Sequence, residues 1–200
     1  MEYKNYIDKE RFEKLQKEVY DNAKKHGWHE KQLSQKHLLG MIMTEMCEAV
    51  EADRKGGRRA DLKKFEHEAT LIKEWNAVSD EYKNSMWKNS FETHIKDTVE
   101  DELADVVIRI FDMAGTLYED NMVWENKRTW DFSFREDLNF VENAYFFVVS
   151  VLSSTVDGIS GSVSYIFDWA DHMKIDLWKH IELKMRYNEM RPYKHGGKKY

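Results

Sequence analysis

Residues 38–53, LLGMIMTEMCEAVEAD, decide the fold. At about 100° per residue, Leu38, Met41, Ile42, Ala49 and Ala52 fall on one helical face. Glu45 projects from the middle of that apolar stripe, and Glu48 lies on its flank one turn further along. An amphipathic helix keeps carboxylates off its buried face, because an unpaired buried charge is costly or must be neutralised by a shift of its pKa. The two glutamates need a compensating partner, and the identity of that partner is the functional question.

The rest of the composition narrows the answer. The chain has 200 residues, 42% hydrophobic and 34% charged, which is an ordinary globular composition and is long enough for one domain, 1–200, with its own core. One proline and nine glycines, mostly between periodic segments, favour an all-α bundle over a sandwich or barrel. The sole cysteine, Cys47, excludes an intramolecular disulfide and fits a reducing compartment. The opening residues, MEYKNYIDKE, contain no apolar signal core, and no apolar run reaches membrane length, so the expected location is the cytoplasm. The net charge is −6, yet from Lys179 to Tyr200 seven Lys/Arg face two Asp/Glu. A basic tail on an acidic body argues against stable nucleic-acid binding, where cations cover a face, and suits a small anionic ligand.

Outward from the opening stretch, residues 8–26 form an amphipathic helix with Phe12, Leu15, Val19 and Ala23 as its stripe, stopped by Gly27. Trp28 follows, placed either to plug the core or to wall a planar ring. Ser34 caps the helix that carries Glu45 and Glu48, which ends near Arg54 at a basic loop, Lys55 to Arg59. That loop has a Gly pair but no preceding strand, so it is no P-loop. Residues 58–90 read as a charged insertion of one or two helices. One helix is expected over 91–118, a loop over 119–131 and a helix over 134–154. Gly158 and Gly161 bracket an expected turn, with Ser160 capping a helix to about His172. A last helix over 176–190 is ended by Pro192, leaving 191–200 as a basic tail.

Glu45 and Glu48 are three residues apart, as are Glu102 and Asp105 on the 91–118 helix. That spacing puts each pair on one side of its helix, so two such helices can enclose a cluster of oxygen ligands. Four carboxylates share a semi-buried site only with cations present. Oxygen ligands with no Cys or His select Mg²⁺, with Mn²⁺ as a substitute, over Zn²⁺. A ferritin-like di-metal site needs Glu-x-x-His, which occurs nowhere in the chain. In the last helix, Lys184, Asn188 and Arg191 lie on one face at steps of four and three, followed by Lys194, His195 and Lys198. Such cations beside a carboxylate–metal cluster suit a polyphosphate.

The blocks TEMCEAVEA, EDELADVVIRIFDMAG and KMRYNEMRPYKHGGKKY, in this order, resemble the MazG-like nucleoside triphosphate pyrophosphohydrolases of the all-α NTP pyrophosphatase superfamily. The likeness covers residues 26–57 and 91–200, apart from a stretch around 119–131. Glu45 and Glu48 match the later acids of the family's EExxE motif, and Glu102 and Asp105 match its ExxD. Thr44 stands where the first glutamate is common, and the charged insertion lengthens the gap between motifs. The resemblance implies Mg²⁺-dependent cleavage of a (deoxy)nucleoside triphosphate to monophosphate and pyrophosphate, acting on damaged or non-standard nucleotides. It implies Glu45, Glu48, Glu102 and Asp105 as metal ligands, with Glu45 or Glu48 taking a proton from the attacking water. Lys184, Arg191 and Lys194 would face phosphate, and Trp28 and Asn188 the base or sugar. A homodimer or homotetramer is expected. The alternatives are a nucleotide-binding module without catalysis and a purely structural bundle.

Overall fold

The computed structural model describes residues 9–56, 59–118, 134–151 and 156–197. Among these residues all regular secondary structure is helical, with no strand. The elements are α1 (Lys9–Lys25), α2 (Gln35–Arg54), α3 (Leu62–Glu74), α4 (Asp80–His94), α5 (Val99–Tyr118), α6 (Phe140–Val151), α7 (Val156–His172), α8 (Leu177–Glu189) and a short terminal segment, α9 (Lys194–Gly197). The expected loop over 119–131 lies outside the described residues, as do Gly57, Arg58 and Lys198.

The first two helices end and begin as their residues dictate. Gly27, at φ 81°, is the C′ residue of α1: its N–H donates to the Lys24 carbonyl at 3.0 Å, and the Trp28 N–H reaches the Ala23 carbonyl at 3.1 Å. This is a Schellman closure, which needs the left-handed backbone that glycine tolerates. A side chain here is excluded twice over, because the Tyr193 ring occupies the space a Cβ would take. At the start of α2, the Ser34 hydroxyl accepts from the His37 N–H at 3.2 Å.

Helix α5 is the axis of the bundle. Fifteen of its 20 residues are buried, so it is covered on nearly every side, by α1, α2, α7 and α8. Its apolar residues Val99, Leu103, Val106, Val107, Ile110 and Ala114 meet Ile42, Met46 and Ala49 of α2 and Phe12 and Val19 of α1 in the main core.

The insertion is a helical hairpin of α3 and α4 with a second, smaller core of Phe65, Trp87, Phe91 and Ile95, closed by Leu183 and Tyr187 of α8. Phe91 stacks on Tyr187 at 4.6 Å between ring centroids. At the base of the hairpin the Glu100 carboxylate accepts from Arg59 Nε at 2.6 Å and from the Ala60 N–H at 3.1 Å, pinning the insertion to the first turn of α5.

Three expected boundaries are corrected. The helix expected over 91–118 is two helices, broken at 95–98: Asp97 has φ 58°, and the Thr98 hydroxyl accepts from the Asp101 N–H at 3.3 Å to start α5. The helix expected from 134 begins at Phe140, because Asn139 and Glu142 form a reciprocal capping box, with the Glu142 N–H on Asn139 Oδ1 at 3.0 Å and the Asn139 N–H on Glu142 Oε2 at 2.9 Å. Gly158 and Gly161 bracket no turn; both lie inside α7, and Ser160 is a buried interior residue rather than a cap.

Candidate metal and phosphate site

A cavity of about 410 Å³ opens between α1, α2, α5 and α8. Glu45, Glu48, Glu102, Asp105, Lys184, Asn188, Arg191 and Trp28 all line it, so the structure gathers eight of the nine predicted site residues around one space. The ninth, Lys194, lies outside it: its Nζ is paired with Glu30 at 2.7 Å, and it lines a smaller adjoining pocket of about 100 Å³ with Trp28, Arg109 and Asp112.

The four acids are not equivalent. Glu45, Glu48 and Glu102 each present a carboxylate oxygen, and these oxygens lie within 4.8 Å of one another. Asp105 stands apart from this triad, with Oδ2 2.6 Å from Lys184 Nζ. Glu45 is buried and accepts from Arg109 Nε at 2.9 Å. Glu48 is exposed and Glu102 buried, and neither carboxylate has a hydrogen-bond or ion-pair partner among the described residues.

The electrostatics follow from that placement. Burial pushes the Glu102 carboxyl up to about 9, assisted by the charges of Asp105, Asp101 and Glu48 and opposed by Lys184. Burial also raises Glu45, with Asp105 adding to the effect and Arg109 working against it. Desolvation and like charge both favour a neutral acid, and a bound cation reverses both. Three oxygen donors with no nitrogen or sulfur fit a hard divalent ion.

Sequence reading missed two participants. Asp101 is fully buried and is the second partner of Lys184, at 2.7 Å. Arg109 is the counter-ion of Glu45; lying seven residues beyond Glu102, two helical turns, it was placeable on the same face. Lys184, expected to meet phosphate, is instead enclosed: burial alone would lower its pKa, but Asp105, Asp101 and Glu102 hold it above the ordinary lysine value.

The cation that stays available is Arg191, half-buried on the cavity wall with no carboxylate partner among the described residues. Asn188 lines the cavity, and its buried Oδ1 has no hydrogen-bond partner among the described residues. The Trp28 ring lies edge-to-face with His195 at 5.1 Å, so tail and turn together form one wall. Thr44 lines the cavity, but its hydroxyl donates to the Gly40 carbonyl at 3.0 Å. Among the described residues no helix is long and apolar enough to cross a membrane. Comparison of the chain with protein-family models, with curated proteins and with solved structures returns no match.

Proposed function

We propose that the protein is a Mg²⁺-dependent MazG-like pyrophosphohydrolase that cleaves a (deoxy)nucleoside triphosphate to monophosphate and pyrophosphate. One observation carries the reading: three carboxylates converge within 4.8 Å, two of them without a hydrogen-bond or ion-pair partner among the described residues and one of those buried, on a cavity also lined by Arg191, which has no carboxylate partner among those residues. Such a site is complementary to a divalent cation with a polyphosphate attached.

Glu45, Glu48 and Glu102 would hold the ion, and Asp105 adjoins them one turn along α5. When bound, Mg²⁺ supplies neutralisation of the phosphates and makes a water easier to deprotonate. Arg191 steadies the charge that builds on the leaving pyrophosphate. Arg109 fixes Glu45 in one rotamer, so its free oxygen keeps a constant direction. Glu48, exposed to solvent, would take a proton from the attacking water and release it to solvent. Trp28 offers a flat apolar surface to the base, and Asn188, on the same cavity, would hydrogen-bond the sugar or base. The exposed Val141, Tyr145 and Val149, at four-residue steps on α6, support a homo-oligomer.

The test is direct. Incubation with a panel of dNTPs and Mg²⁺ should yield pyrophosphate and monophosphate in equal amounts; no release, or orthophosphate alone, would sink the reading. A second reading, nucleotide binding without turnover, draws support from Thr44, which stands where the resemblance puts a glutamate and whose hydroxyl donates to the Gly40 carbonyl instead of supplying a carboxylate. Calorimetric binding of Mg²⁺ and dNTP with no product would decide for it.

A further inference from the structure

Of the acids Glu45, Glu48, Asp101, Glu102 and Asp105, two are already engaged by one ammonium. Lys184 Nζ lies 2.7 Å from Asp101 Oδ2 and 2.6 Å from Asp105 Oδ2, with a side chain only 6% exposed. An ammonium held between two carboxylates at these distances takes the place that a divalent ion would take, at half the charge. Asp101 concentrates its contacts on one oxygen, Oδ2, which also accepts the Asp97 N–H at 3.1 Å, and leaves Oδ1 buried without a partner. Its carboxylate is committed to the ammonium at the expense of its own full satisfaction.

The geometry points to a built-in cation: Lys184 substitutes for a second metal ion, so that before nucleotide arrives the chain holds one divalent ion, at Glu45, Glu48 and Glu102, and not two. Lys184 is already engaged with Asp101 and Asp105, and Arg109 with Glu45. Recruiting Asp105 to a second ion would leave the buried ammonium with Asp101 alone, and weakening a buried pair on one side is costly. Any further ion therefore arrives on the phosphates of the nucleotide.

This inference rests on the metal-binding reading, and the experiment separates the two. Mn²⁺ is titrated into the full chain without nucleotide, and the free ion is followed by electron paramagnetic resonance. One tight Mn²⁺ per chain is expected. Two of comparable affinity overturn the inference while leaving the metal reading intact, and none overturns both. Lys184→Met should then admit a second Mn²⁺, held by Asp101 and Asp105; a folded variant that still binds one overturns the proposal. If that variant does not fold, Asp101→Asn combined with Lys184→Met frees Asp105 to join the triad and should bind its single ion about tenfold more tightly. Unchanged affinity there counts against the built-in cation.

Discussion

Glu68 on α3 and Glu102 on α5 are the same residue type held in opposite circumstances. Glu68 sits at the edge of the hairpin core, where the Ser90 hydroxyl at 2.7 Å and the His94 ring at 3.1 Å hold its carboxyl below the usual range. Glu102 is buried beside other acids, has no partner, and is pushed up to about 9. Glu68 shows what an acid does when it only decorates a fold: it finds donors and stays near water. Glu102 does neither. In a chain with 37 acidic residues the informative feature is therefore not the spacing of carboxylates but their burial without a partner.

The contrast can be broken at several points. The largest effect is expected in the hairpin, where Phe91 joins the insertion to α8; Phe91→Ala should cost about 3–5 kcal/mol, read from the urea midpoint. If stability barely moved, the hairpin core would not be integral to the fold. Glu102→Gln should lower nucleotide cleavage by at least about a hundredfold while raising the melting temperature of the metal-free protein. Activity that survived would break the assignment of α5 as the metal-binding helix.

The pH dependence sharpens the same point. The Glu102 pKa goes from an ordinary 4.5 when unfolded to about 9 when folded, so the folded protein binds the extra proton between those values. The stability this group contributes is complete below the lower value and is lost as pH rises through the upper one. With chelator present, melting temperature should fall from pH 5 towards pH 9, and Glu102→Gln should flatten that slope. Mg²⁺ should restore stability most at the alkaline end. A slope unchanged by the substitution would mean that Glu102 is not the group responsible.

Thr98→Ala removes the hydroxyl that starts α5 and should cost about 1 kcal/mol in chemical denaturation. At the small end, Glu68→Gln should change stability by no more than about 0.5 kcal/mol and leave cleavage untouched, since its contacts are solvent-screened. A large loss there would erase the distinction between the two regions.

Where local chemistry acts within a few residues, the sequence was sufficient. Gly27 and Ser34 mark the boundaries of α1 and α2, and Glu45 stands out in an apolar stripe because its helix has one buried face. The break before α5 was hidden for a physical reason. Phe91, Ile95 and Val99 are all fully buried at four-residue steps, so the hydrophobic period runs unbroken while the backbone turns at Asp97. The Thr98-x-x-Asp101 signature was the available sign. In α7 the glycines imitated a turn, but Ser160, Gly161, Ser162 and Val163 are all buried, and packing against α5 and α6 outweighs a glycine cost of about 1 kcal/mol. The partners of Lys184 lie about eighty residues away in sequence, beyond the reach of any local pattern.

The position of Leu183 and Lys184 on α8 has a mechanical consequence. They are neighbours in sequence, about 100° apart around the helix. One turn of α8 thus seals the hairpin core with Leu183 and Tyr187 while delivering the ammonium to Asp101 and Asp105. Any rotation that withdrew Lys184 would drag Tyr187 across the face of Phe91. The insertion is in this sense a detent: a spring catch on the outside of the bundle that keeps a lysine in register on the inside.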